Sequence, residues 1–188
     1  MRLTFVTGNK GKVHEATEAL RPLGIEVVPH DAKPVEIQAD TLEEISRAKC
    51  EVLIGKVDPP FIVDDGGLFV DALHGFPGVF SAHALKTLGV PGILKLMEGV
   101  EDRRARMDSV ISLFEDDRIT VFHGVAFGRI TSTIHDAGKG FGYDCVFVPE
   151  GSTLTFAQMP DAIRPQFSHR AHALMRVVEH LRGTTEKR

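Results

Sequence analysis

Two stretches of this chain bring together residue types suited to phosphate and metal chemistry. The first is Thr7-Gly8-Asn9-Lys10-Gly11-Lys12, which follows a short apolar run and precedes a helical pattern. A helix N-terminus presents backbone N–H groups and a partial positive charge, and both suit phosphate. Gly8 and Gly11 would let the backbone approach closely, and Lys10 and Lys12 add charge where the helix dipole disfavours it. The G-x-x-x-x-G-K-[ST] spacing of a Walker A loop is not met, and a plain Gly-Lys connector remains open as a reading. The second stretch is Asp64-Asp65-Gly66-Gly67, directly after an apolar run. Adjacent carboxylates repel unless a cation or proton offsets them. Mg²⁺ takes hard oxygen ligands, often one or two carboxylates together with phosphate oxygens. A turn with Asx capping is the alternative.

Four further places stand out. Glu36 in Val35-Glu36-Ile37-Gln38 reads by itself as a solvent-facing strand residue. Lys49 falls four residues after Ile45, on the apolar stripe of its helix, where its stem could simply snorkel to water. Phe141-Gly142-Tyr143-Asp144 follows Gly138-Lys139-Gly140; an aromatic beside glycines could offer a flat face to a base, with Asp144 accepting from a ring N–H. Taken alone, this tetrapeptide reads better as a core aromatic in a Gly-rich turn. In Ser168-His169-Arg170, Ser168 suits an N-cap, yet two potential cations occupy the first turn. That arrangement costs about 0.3–1 kcal/mol against the dipole unless an acceptor compensates.

The elements that must position these residues follow from periodicity. Leu3 to Val6 reads as a buried strand, followed by a helix with Val13, Ala16 and Leu20 on one stripe, stopped by Pro22 and Gly24. Thr41-Leu42-Glu43-Glu44 is a capping-box pattern. The helix it opens is expected to bury Ile45, Ala48 and Val52, with Leu53 as a further candidate. Phe61-Ile62-Val63 reads as a buried strand. Ala105, Met107, Ser109, Ile111 and Leu113 alternate with their neighbours, as do Ile119, Val121, His123, Val125 and Phe127 beyond Glu115-Asp116-Asp117. Period two on both sides of an acidic turn predicts an antiparallel hairpin. A last helix from about Ser168 carries Ala171, Leu174, Val178 and Leu181 in phase. Early βαβ-like units with a central hairpin predict an α/β fold with a mixed sheet.

Composition narrows the class. The 188 residues are 43% hydrophobic and 26% charged, with a net charge of −4. That is ordinary for a globular domain, and no Lys/Arg run supplies a nucleic-acid patch. Any anionic ligand must be met by a few placed cations. Leu3 to Val6 is too short for a signal-peptide core, and no stretch approaches a membrane span. Cys50 and Cys145, the two cysteines, make no metal or disulfide pattern. The expectation is a cytoplasmic, single-domain protein without nucleic-acid or membrane partners.

Taken in order along the chain, these residues resemble the inosine triphosphate pyrophosphatase family, also called Ham1-like or dITP/XTP pyrophosphatases. The resemblance runs through Thr7-Gly8-Asn9 with Lys12, Glu36 and Gln38, Lys49, and Asp64-Asp65 with Gly67-Leu68 and Val70 to Leu73. It continues through Pro77-Gly78, Ser81-Ala82, Gly140 to Asp144 with Val146-Phe147, and Ser168-His169-Arg170. It implies one domain over residues 1–188, two-lobed around a long mixed β-sheet with flanking helices, a nucleotide cleft between the lobes, a homodimer, and Mg²⁺. It implies hydrolysis of ITP, dITP and XTP to the monophosphate and pyrophosphate. Thr7, Gly8, Asn9, Lys10, Gly11 and Lys12 would bind phosphates, with Lys49 in support. Glu36 and Asp65 would hold the metal, and Asp65 would act as general base. Gly66, Phe141, Gly142, Tyr143, Asp144 and Arg164 would line the substrate, and His169 with Arg170 would read the 6-keto edge of the base. Three positions depart from the family pattern: Gly66 where Ser is usual, Arg164-Pro165 where Lys and often Asn stand, and Cys145 where Pro is common. Two other readings of the residues remain open here: a nucleotide-binding regulator without turnover, and a Mg²⁺-dependent phosphatase for another small polyanion.

Overall fold

The computed structural model describes residues 2–32, 34, 35, 37–135, 138 and 140–185. Among them six strands form one sheet: β1 (Arg2–Val6), β2 (Glu26–His30), β3 (Phe61–Val70), β4 (Arg104–Glu115), β5 (Arg118–Ile130) and β6 (Phe147–Pro149), in the order β2-β1-β3-β4-β5-β6. β1 runs parallel to β2, with Leu3 opposite Val27, and parallel to β3, with Thr4 opposite Phe61. β5 and β6 are antiparallel, so the sheet is mixed, as the sequence patterning predicts. The helices are α1 (Lys10–Leu20), α2 (Leu42–Glu51), α3 (Ser81–Thr87), α4 (Gly89–Leu96) and α5 (His169–Thr185). None of them is long and apolar enough to cross a membrane.

The chain divides into two compact units. The first comprises Met1–Asp65, Ser109–Gly124 and His169–Arg188, and the second Gly66–Asp108 and Val125–Ser168. In the first unit, β1, β3 and β4 are covered on both faces. Leu3, Phe5, Ile62, Ile111 and Leu113 pack with Ala16 and Leu20 of α1 and with Ala171, Leu174 and Val178 of α5. On the opposite face Val6, Phe61, Val63 and Phe114 pack with Cys50 and Leu53. Two-sided burial explains why β4 stops alternating: every residue from Ser109 to Phe114 is buried. In the second unit the core gathers Leu68, Val70, Ile93, Met97, Met107, Tyr143, Phe147 and Phe156.

Several local expectations meet their physical causes here. Thr41 and Glu44 form the reciprocal capping box that opens α2. Its buried face, however, is Leu42, Ile45, Ser46, Lys49 and Cys50. Val52 is 42% exposed, because it falls at the C-cap, where the helix has turned that position away from the core. The β4–β5 hairpin closes through Asp116 and Asp117, with φ of 46° and 56°, the paired left-handed geometry that two-residue turns require. The Asp64-to-Gly67 segment is not a turn, since β3 continues through it to Val70. Gly67 makes this possible, because a Cβ there would lie 2.4 Å from the carbonyl oxygen of Gly78. Short elements β2, α3, α4 and β6 carry too little periodic signal to be read from the sequence.

Candidate active site

Successive side chains of a strand point to opposite faces, and this separates the two adjacent aspartates. Asp64 shares the face of Ile62, under α1 and α5, whereas Asp65 shares the face of Phe61 and Val63, under α2. Each carboxylate therefore meets its own lysine.

Asp64 is 5% exposed and surrounded by donors. Lys12 Nζ approaches its Oδ2 at 3.0 Å and donates to its backbone oxygen at 2.8 Å. Arg170 Nε donates to Oδ2 at 2.9 Å, and the Ser109 hydroxyl donates to Oδ1 at 2.5 Å. Burial alone would raise this carboxyl, but Arg170, Lys12 and Ser109 outweigh it and hold Asp64 well below the usual carboxylate range. The other end of the Arg170 guanidinium pairs with Glu15 of α1. Burial would lower Arg170, yet the carboxylates of Asp64 and Glu15 raise it, so it stays charged. The two cations that look misplaced at the start of α5 thus include one compensated by two buried acids. Arg170 is only 2% exposed, so its first task is internal neutralisation, a role its place in the sequence does not announce.

Asp65 is arranged differently. Lys49 Nζ donates to its Oδ1 at 2.6 Å, so Lys49 is an ion-pair partner rather than a snorkelling stem. The second oxygen, Oδ2, is buried and has no hydrogen-bond partner among the described residues. Burial raises the Asp65 carboxyl above its ordinary value, against the opposing pull of Lys12 and Lys49.

The Thr7-to-Lys12 turn opens α1. Asn9 is the N-cap, and its Oδ1 accepts from the backbone of Gly11 at 2.9 Å and Lys12 at 3.2 Å. Thr7 Oγ1 accepts from Asn9 N at 3.1 Å. The N–H groups of Asn9, Gly11 and Lys12 thus already have side-chain acceptors within the turn. Lys10 is exposed at the mouth of the turn.

The second unit holds the Phe141-to-Asp144 turn. Asp144 is 2% exposed; its Oδ2 accepts from Phe141 N at 2.8 Å and from Arg164 Nη2 at 2.7 Å. Arg164 thus acts on the turn itself and also lies 5.4 Å over the Phe156 ring. Tyr143 is 4% exposed, and its hydroxyl donates to the Ser81 oxygen at 2.9 Å. Burial pushes its phenol up to about 12. Tyr143 is therefore a core residue rather than a lining one, whereas Phe141 and Gly142 remain half-exposed. Gly66, where a hydroxyl would be usual, is half-buried on β3. His169, 3% exposed, begins α5. Glu36 lies outside the described residues.

Sequence reasoning missed Glu15 and Ser109. Only Ser109 left a signal, as a polar residue at a position whose neighbours in phase are apolar. Ser109 stands between Met107 and Ile111 on the inward phase of β4.

Comparison with known proteins bears on this geometry. The Ham1 family model matches residues 3–180. The dITP/XTP pyrophosphatase of Thermococcus kodakarensis is 48% identical over 174 residues, covering 93% of this chain and 94% of that protein. That of Pyrococcus horikoshii is 45% identical over 182 residues, covering 97% of each. Among solved structures, the Staphylococcus aureus Ham1 protein superposes with a TM-score of 0.81 at 28% identity, covering 98% of this chain and 100% of that one. A HAM1 protein from Coxiella burnetii gives 0.82 at 27%, covering 97% and 99%. Sequence and fold agree over nearly the whole length, and on that ground the chain belongs to the Ham1 family.

Proposed function

We propose that the chain is a nucleoside-triphosphate pyrophosphatase that hydrolyses ITP, dITP and XTP to the monophosphate and pyrophosphate with Mg²⁺, clearing non-standard purines from the nucleotide pool. The names of its relatives support the substrate class. The observation that carries the chemistry is Asp65: one oxygen is held by Lys49, and the other is buried with no partner among the described residues. A lone buried carboxylate oxygen is costly unless something meets it. A hard divalent cation fits it, as Mg²⁺ is commonly held by one or two carboxylates plus phosphate oxygens. Asp64 is less suited to that role, since donors already sit on both its oxygens. Asp65 and, by family resemblance, Glu36 would hold the ion, which when bound neutralises charge on the triphosphate.

The remaining roles belong to the chain's own groups. Asp65 accepts the proton of the attacking water. General-base help of this kind is worth about 10²–10⁴ in rate. Lys12, tethered by Asp64, and Lys10 and Lys49 stabilise negative charge on the phosphates. Phe141 offers its face to the purine, on a turn held by Asp144 and Arg164 and backed by Tyr143. The resemblance to the family assigns His169 and Arg170 to the 6-keto edge of the base. We take the whole chain as one functional domain and expect a cytosolic homodimer, as the resemblance implies.

Base preference tests this reading. Hypoxanthine pairs a 6-keto acceptor with an N1–H donor, and adenine inverts both, which leaves site groups unpaired. Mismatches of this kind discriminate by up to about 10⁴. With Mg²⁺ present, kcat/KM for ITP should exceed that for ATP by at least about a hundredfold. Comparable values would refute the base-reading assignment.

A further inference from the structure

We infer that Ser109 is a positioning residue for phosphate binding, acting through Asp64 on Lys12; this rests on the proposed phosphate role of Lys12. Ser109 lies on β4, fully buried, and its hydroxyl donates to Asp64 Oδ1 at 2.5 Å. A carboxylate's terminal torsion is soft and nearly two-fold, so a single fixed oxygen sets its plane. With Oδ1 held by Ser109, Oδ2 is presented to Arg170 Nε at 2.9 Å and to Lys12 Nζ at 3.0 Å. Lys12 Nζ spends its second N–H on the Asp64 backbone oxygen at 2.8 Å. An ammonium has three donors. The third therefore has its direction fixed by the other two, at a side chain that is 18% exposed and so reaches solvent.

The effect of Ser109 is indirect, and the second serine of β4 makes a useful contrast. Ser112 is equally buried, but its hydroxyl bonds to that of Ser46, at 2.9 Å. Its bond ends on a neutral group and orients no charge. Ser109, through Asp64, connects β4 to the lysine of the phosphate turn. Without its hydroxyl, Asp64 is held on the Oδ2 side alone, by Arg170 and Lys12, so its plane, and with it the acceptor that aims Lys12, is set less firmly.

Calorimetric titration with inorganic pyrophosphate in the presence of Mg²⁺ tests this on wild type, Ser109→Ala, Lys12→Met and the double variant. Ser109→Ala should weaken pyrophosphate binding about three- to tenfold, the scale of one hydrogen bond. It should raise KM for ITP by a similar factor while kcat stays within about twofold. In the Lys12→Met background the same substitution should have no further effect, because the lysine it orients is gone. An unchanged affinity in Ser109→Ala, or an equal loss with and without Lys12, overturns the inference, as does wild-type protein that binds no pyrophosphate. Should Ser109→Ala fail to fold by circular dichroism, Ser109→Cys keeps the volume with a weak donor. An intermediate affinity then supports the inference, and wild-type affinity overturns it. Binding that follows this pattern in a protein that leaves ITP intact would sink the proposed activity alone.

Discussion

Replacing Asp65 with Asn preserves size and removes the charge on which proton transfer depends. Turnover of ITP should fall by about 10²–10⁴, the usual contribution of a general base, while nucleotide binding stays detectable by calorimetry. Retention of more than about a tenth of the rate would remove Asp65 from its role. Lys49→Met removes a cation that pulls the Asp65 carboxyl down. That carboxyl should rise further, so the acidic limb of the pH–rate profile should move to higher pH; an unmoved limb contradicts the pairing. Arg170→Ala leaves Asp64 and Glu15 buried without their shared cation. Breaking a buried pair in this way costs about 3–5 kcal/mol, or some 6–20 °C in Tm for a chain of this size. Asp64 itself is held below its unfolded value of about 3.9. Its stabilisation is complete above about pH 4 and is lost as pH falls. Acid unfolding of Asp64→Asn should therefore show a shallower loss of stability below about pH 4 than wild type.

The start of α5 is set by close approach to β5. A Cβ on Gly124 would lie 2.0 Å from the His169 oxygen and 2.5 Å from Ala173 N. Gly124→Ala must push the helix outward, carrying His169 and Arg170 with it. A cost of about 1–3 kcal/mol is expected for such overpacking, with a fall in kcat/KM for ITP; thermal melts and steady-state rates check both. Elements with strong local codes were legible from sequence. The Thr41–Glu44 capping box, the Asp116-Asp117 turn and the apolar stripe of α5 each state their geometry within a few residues. The buried face of α2 was less so, because Val52 looks apolar in phase yet lies at the cap. The continuation of β3 through Asp64 to Gly67 was hidden by glycines that usually signal a turn, and here instead admit the Gly78 carbonyl.

At the scale of the whole chain, the α/β class and mixed sheet follow from local pattern, but strand order does not. Nothing in Leu3 to Val6 says that β2 and β3 will flank it. The same limit applies to the site. Lys12, Asp65 and Lys49 could be singled out because each is a charge in an unusual local setting. The ring of donors around Asp64 could not, since Ser109 and Arg170 come from distant parts of the chain and meet it only in the fold. The relatives' names point to one reaction class, and the Asp65–Lys49 pair supports it. That claim is tested most directly by incubating the protein with ITP and Mg²⁺ and identifying the products. Stoichiometric IMP and pyrophosphate are predicted. Orthophosphate with IDP, or intact ITP, would contradict the account.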